Sequence, residues 1–421
     1  MGLTRREGKG RMGKLRFVSR RGPASGRWAL AGVLALATVM PAAPAGNAQS
    51  PSSSAGEAAV LEQQGKYPEA EAAWRAVLKL HPSSAEAYAH LGLLEARQEH
   101  YKEAAPLYRE ALALNAAMPG LRLNLGLALF KGGDLKGAIL EFTLLKARAP
   151  DSPDVQRLNI LIGMAHYGLG EYAQAVPFLK TAAAVDTQNL QLRLALAHSC
   201  LWSKQYQCVL DTYHEILMLN AESAEADMLA GEAEDEMKDY DGAIKQFRAA
   251  VKADPKEPDV HFGLGYILWT QRQYPEAASE FQAELDNNPS HAQSLLYLGD
   301  CEMQLNHSEL APPLLKRAIE VDPGLELAHL DLGILYADAG HNDEALDEMK
   351  VAAGLAPDDA NVHWHLGRLY RAMGKKDEAK AEFDKASSLH RITNKALLDR
   401  MSGNHAQPAQ NQAPAGTLPK Q

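Results

Sequence analysis

Residues 258–289 read PDVHFGLGYILWTQRQYPEAASEFQAELDNNP, and the reading of this stretch decides the fold. Apolar residues crowd at helical spacing from His261 to Trp269, and do so again from Pro275 to Leu285. The break between them, Gln271–Arg272–Gln273–Tyr274, has the length of a tight helix–helix connection. Pro289 ends the second helix, because the residue before a proline is pushed out of the α region. The stretch is therefore a helical hairpin. Gly265 on one helix and Ala277 on the other lack bulk, which lets the backbones approach where they cross, while Leu264 and Phe281 fill the space beside them.

The same hairpin recurs along the chain. In register with Gly265 stand Gly92, Gly126, Gly163, Ala197, Gly231, Gly299, Gly333 and Gly367; all but one of the intervals are 34 residues, and the exception is 37. Twelve residues after each landmark comes a second small or slim residue: Ala104, Ala138, Ala175, Val209, Ala243, Ala277, Ala311, Ala345 and Ala379. Four further on the residue is large: Tyr108, Phe142, Leu179, Tyr213, Phe247, Phe281, Leu315, Met349 and Phe383. Prolines at 82, 150, 255, 289, 323 and 357 close units. A fixed period this long means stacked supersecondary units, which present extended surfaces, in place of one globular core.

The units Ala224–Pro255, Pro258–Pro289 and Glu326–Pro357, with Tyr240–Asp241–Gly242–Ala243 and Tyr274–Pro275–Glu276–Ala277 within them, resemble the tetratricopeptide repeat family. The resemblance covers residues 56–391 and implies an all-α, right-handed superhelical solenoid of stacked helix–turn–helix repeats. Counting back from Gly92 gives Ala58, with Tyr67–Pro68–Glu69–Ala70 and Trp74 in register, so about ten repeats are expected. The long interval reflects extra residues around Asp151–Ser152–Pro153, read as a tolerated loop insertion; the alternative is a bend separating 56–150 from 154–391. The last unit lacks its proline. Lys376 to Met401 reads as an extended helix whose Leu389, Ile392, Ala396 and Leu397 cover the open end, with 392–401 as the capping segment.

Both ends differ from the array. Nine basic residues (Arg5, Arg6, Lys9, Arg11, Lys14, Arg16, Arg20, Arg21 and Arg27) precede an uncharged apolar run from Trp28 to Met40, and small residues continue to Gly46–Asn47–Ala48. That pattern reads as a signal peptide over 1–48, cleaved on export to the periplasm or beyond the cell. The apolar run is shorter than the roughly 20 residues a spanning helix needs. The alternative is an uncleaved anchor in the inner membrane using 28–45, and Met12 is a second candidate start. Residues 49–55 read as a flexible linker. The stretch 402–421, rich in Gln, Ala and Pro, reads as a disordered tail.

The chain carries 43 basic and 53 acidic residues; 1–48 holds nine of the former and one of the latter, leaving 34 against 52 and a net charge of −18. Such an array repels nucleic acid and anionic lipid, so nucleic acid is not an expected partner, and a membrane is one only if the leader stays attached. Three cysteines do not make a disulfide framework. Cys200, late in a first helix, and Cys208, early in the following second helix, admit a bridge across their hairpin; the alternative is two small buried fillers.

No phosphate loop, dinucleotide fingerprint, nucleophile elbow, paired-histidine zinc motif or C-x-x-C is present, so no cofactor, metal or small-molecule substrate is expected, nor an enzyme. His261, His329 and His363 occupy one place in three units, with His365 close by, but nothing completes a metal shell around them. They read as half-buried histidines between stacked helices.

The family resemblance implies that first helices line a concave face, with inward residues three before, one after and four after each landmark. Those offsets share one helical face. The candidate partner-binding groove is Leu127, Met164, Tyr167, Met228, Phe262, Tyr266, Trp269, Leu296, Met303, Ile334 and Trp364, with Arg368 and Arg371 beyond Trp364 on the same face. Two specialisations of the family are missing: a Lys-then-Asn clamp on this face, and an asparagine ladder two residues before the landmark, where only Asn124 fits. An apolar extended segment or amphipathic helix of a protein partner is the expected ligand. The expected function is a non-catalytic envelope scaffold; the alternatives are a fixed regulatory or assembly subunit, or a membrane-anchored scaffold.

Overall fold

The computed structural model describes residues 53–219 and 222–401, which form two units, 53–263 and 264–401. The leader over 1–48 and the tail over 402–421 lie outside the described residues. Among the described residues there are twenty helices and no strand.

The helices come in ten pairs. The first four are α1 (Ser53–Gln63) with α2 (Tyr67–Leu80), α3 (Ala85–Arg97) with α4 (Tyr101–Leu114), α5 (Leu121–Lys131) with α6 (Leu135–Arg148), and α7 (Val155–Gly168) with α8 (Tyr172–Val185). Then come α9 (Leu190–Trp202) with α10 (Tyr206–Met218), α11 (Ala224–Met237) with α12 (Tyr240–Ala253), and α13 (Val260–Thr270) with α14 (Tyr274–Asn287). The last three are α15 (Ala292–Gln304) with α16 (Ala311–Val321), α17 (Glu326–Asp338) with α18 (Asn342–Leu355), and α19 (Ala360–Ala372) with α20 (Lys376–Met401). In each unit, second helices pack against their own partner and against the next first helix. This is the stacked helix-pair architecture that the period implies.

The turn inside each hairpin obeys a rule that the repeat pattern does not advertise. The residue seven after each landmark is left-handed: Gly65, Gly133, Gly170, Gly340 and Gly374 in five pairs, but Glu99, Lys204, Lys238, Arg272 and Asn306 in the other five. A left-handed residue ends the first helix and turns the chain into the second. Side chains then cap several helix starts, as where Ser223 accepts from the Ala226 N–H and Asp239 from the Gly242 N–H.

One apolar cluster in the first unit runs without a break from Ala89 to Ala233, and another joins Ala58, Trp74 and Leu94. Phe142 and Leu158, on either side of the insertion around Ser152, belong to the same cluster, so the longer loop leaves the core continuous there. In the second unit a cluster from Leu330 to Leu369 joins α17, α18 and α19. Cys200 on α9 and Cys208 on α10 form a disulfide, with their Cα atoms 5.8 Å apart.

One boundary differs from the expectation. Ser53, Ser54 and Ala55, read as linker, form the first turn of α1. Lys376 to Met401 forms one extended helix, α20, the length read from the sequence. Ile392 is 65% exposed on it and so adds no cover to the end of the stack.

Candidate partner-binding face

The orientation of every first helix is set by what lies over its landmark glycine. A Cβ built on Gly265 would meet Phe281 Cδ1 at 2.9 Å and the Ala277 carbonyl oxygen at 3.3 Å. On Gly333 it would meet Met349 Cγ at 2.7 Å and the Ala345 carbonyl oxygen at 3.2 Å. The large residue sixteen positions on thus sits directly over the landmark. Sequence reading placed Phe281 beside the crossing; the structure places it on top. With that side of each first helix fixed against its partner, the offsets three before, one after and four after point elsewhere.

In the first unit, Leu127, Met164, Met228 and Phe262 are buried, and Tyr167 is half-buried. The Tyr167 ring meets Tyr172 edge-on at 5.7 Å between centroids and His198 at 6.3 Å. Burial pushes the Tyr167 phenol well above the ordinary tyrosine range. His198 in turn bonds Glu225 through Nε2 at 2.7 Å.

In the second unit, Tyr266, Leu296, Met303 and Ile334 are buried and Trp269 is half-buried. Tyr266 and Trp269 stack at 5.9 Å, and both meet Tyr297 of α15 edge-on, at 5.4 and 5.0 Å. The Trp269 indole N–H donates to Asp300 Oδ2 at 2.6 Å. Much of this aromatic surface therefore joins neighbouring first helices. Trp364 on α19 differs from the rest at 45% exposed, with Arg368 over its ring at 4.9 Å.

The recurrent histidines serve the hairpins themselves. His329 Nδ1 lies 2.6 Å from Glu348 Oε2, and its Nε2 lies 3.2 Å from the Pro323 carbonyl oxygen. His363 repeats both contacts, with Glu382 at 2.6 Å and the Pro357 carbonyl at 2.9 Å. Each ring thus faces an acceptor at both nitrogens. Arg122 and Glu141 make the equivalent ion pair two units into the array. The signal was in the sequence: Arg122, His261, His329 and His363 at this position have Glu141, Glu280, Glu348 and Glu382 nineteen later, while Arg193 at the same place has Thr212 there and pairs with Glu215.

No three His, Cys, Asp or Glu side chains converge as a metal site among the described residues. Cys301 is buried, and burial pushes its thiol well above the ordinary range, which leaves it protonated and unreactive. No helix among the described residues is long and apolar enough to cross a membrane.

Models of the tetratricopeptide repeat match residues 56–119, 95–159, 211–258, 228–289, 262–326 and 336–391. Among curated proteins, the chain is 25% identical over 148 residues to tetratricopeptide repeat protein 8 of Caenorhabditis elegans, covering 34% of this chain and 29% of that protein. It is 23% identical over 301 residues to the CTR9 homologue of Arabidopsis thaliana, covering 69% of this chain and 28% of that one. To the BBSome complex member BBS4 of Bos taurus it is 23% identical over 276 residues, covering 66% and 52%. The chain thus spans between about three tenths and about half of the length of these relatives. Among solved structures, MamA aligns at 24% identity and TM-score 0.36 over 39% of this chain and 96% of that one. YrrB, described as a TPR protein with an unusual peptide-binding site, aligns at 22% identity and TM-score 0.37 over 45% and 97%. The family models and the ten helix pairs give one conclusion: the chain belongs to the tetratricopeptide repeat family.

Proposed function

We propose that the chain is an exported, non-catalytic scaffold of the bacterial envelope that holds apolar or amphipathic segments of partner proteins along the inward side of its first helices. The observation that carries this is the aromatic and methionine content of that side, with Trp364 exposed and Tyr167 and Trp269 half-exposed on it. Aromatic side chains with an open face are favoured anchors for a docked segment. Export rests on the basic-then-apolar-then-small leader over 1–48 and on the shortness of its apolar run.

Affinity capture from envelope extract of the native host, with crosslinks mapped onto the chain, tests the binding; crosslinks concentrated on first helices support it. Mass spectrometry of the mature chain tests the export, with an amino terminus at or near Gln49 expected. An intact chain beginning at Met1 or Met12 in the membrane fraction would instead support the anchor over 28–45.

A further inference from the structure

We propose that the inward side of α19 is a receptor for an acidic protein segment, in which the Trp364 indole takes an apolar side chain while Arg368 and Arg371 take the carboxylates flanking it. The three residues stand at offsets three before, one after and four after Gly367, so they share one face of the helix. In the preceding repeats of the same body those offsets hold Tyr266 and Trp269, then Leu296, Asp300 and Met303, then Leu330, Ile334 and Ala337, all buried except the half-buried Trp269 and Ala337. The face therefore changes character at the last pair, from mostly buried and apolar to more open and cationic.

The two arginines are held ready by rings. The Arg368 guanidinium lies over the exposed Trp364 ring at 4.9 Å, and that of Arg371 lies over Phe383 at 5.5 Å. The Trp364 ring is fixed in turn, meeting His365 edge-on at 4.9 Å. Stacking restrains a guanidinium while leaving its edge N–H groups free to fork onto a carboxylate. Neither Arg368 nor Arg371 makes an ion pair or hydrogen bond to another described residue, although the chain has ten more acidic than basic residues. Glu382, on the partner helix α20, is engaged with His363. Two arginines on an open inward face, stacked and unpaired in an acidic chain, have a complement of opposite charge. Side chains three apart on a helix are neighbours, so the two forks reach carboxylates a short distance apart on one segment.

This rests on the reading of the inward side as a protein-binding face, and its test is built to fail separately. Fluorescence anisotropy would track a short labelled peptide alternating glutamate and leucine, amidated at its carboxyl end, against the whole mature chain. The expected result is saturable binding that weakens roughly tenfold or more in Arg368→Glu/Arg371→Glu, weakens in Trp364→Ala, and falls as added salt screens the charges. A peptide with glutamine in place of glutamate should bind at least tenfold more weakly. Circular dichroism melts of the variants establish that the array is intact, and Arg368→Gln/Arg371→Gln provides a second, milder variant should the charge reversal fold poorly. Equal binding of the glutamate and glutamine peptides, no binding by the native chain, or no effect of either arginine pair would overturn the proposal. So would a loss of self-association in the arginine variants, which would assign the face to a second copy of the chain. If those failures came with partner crosslinks on other first helices, the scaffold reading would stand and only the acidic-segment assignment would fall.

Discussion

The Phe281 ring lies directly over Gly265, leaving 2.9 Å between its Cδ1 and the place a Cβ would occupy. The ring is fully buried and cannot swing into solvent. Gly265→Ala should therefore cost about 1–3 kcal/mol by overpacking. Gly354 on α18 is the control, since nothing lies within 4 Å of its Cβ position. There Gly→Ala should be neutral or stabilise by up to about 1 kcal/mol, because alanine is the better helix former. Urea unfolding of the two variants checks the contrast; equal effects would contradict it.

The left-handed residue of each hairpin turn gives a second contrast. Lys238 has φ of 71° and Gly340 has φ of 80° at equivalent places in their units. Lysine bears a steric cost there that glycine avoids, so Lys238→Gly should stabilise by roughly 0.5–1 kcal/mol and Gly340→Ala should destabilise by about 1 kcal/mol. Thermal melts read both, and a destabilised Lys238→Gly would show that the turn is held by the lysine side chain.

How much of the molecule was legible in its sequence depends on what each residue type can do alone. The landmark glycines and their 34-residue spacing declared the helix pairs, because close crossings tolerate few residues. The left-handed turns stayed hidden because Glu99, Lys204, Lys238, Arg272 and Asn306 accept the strained conformation without a glycine to mark it. The His329–Glu348 pairing was written as a nineteen-residue concordance, but one histidine position considered alone is ambiguous between ligand and strut. Burial along the inward side was the least legible. The same aromatic spacing serves packing between neighbouring first helices, as in Tyr266 against Tyr297, and presentation to a partner, as in Trp364.

The His363 ring ties α19 to α20 through Glu382 and to the preceding turn through the Pro357 carbonyl. His363→Ala leaves both acceptors without their donor and should cost about 1–3 kcal/mol. His363→Arg should recover much of the loss, because Arg122 makes the equivalent pair with Glu141. Chemical denaturation of the three chains decides it; an arginine variant as unstable as the alanine one would contradict the strut.

Asp227 accepts a 2.7 Å hydrogen bond from the Tyr213 hydroxyl, yet burial holds its carboxyl above the ordinary range. A carboxyl raised in the folded state favours its protonated form there, so ionisation above that pKa weakens the fold and acidification through it restores stability. Asp227→Asn keeps an oxygen for Tyr213 and should melt higher than the native chain at pH 7. The gap should close as the pH falls toward about 4, where the unfolded carboxyl also protonates. A gap independent of pH would remove Asp227 as its cause.

Placing a photo-activated crosslinking residue at one position at a time tests the central claim, that partners dock on the inward side of the first helices. Trp364 and the half-buried Tyr167 and Trp269 sample that side, while Leu80 and Leu140, both exposed on second helices, sample the other. After irradiation in the native host, the inward positions should yield discrete crosslinked bands and the second-helix positions none. Crosslinks from Leu80 or Leu140 with silence at Trp364, Tyr167 and Trp269 would contradict the account and move the binding surface to the opposite face.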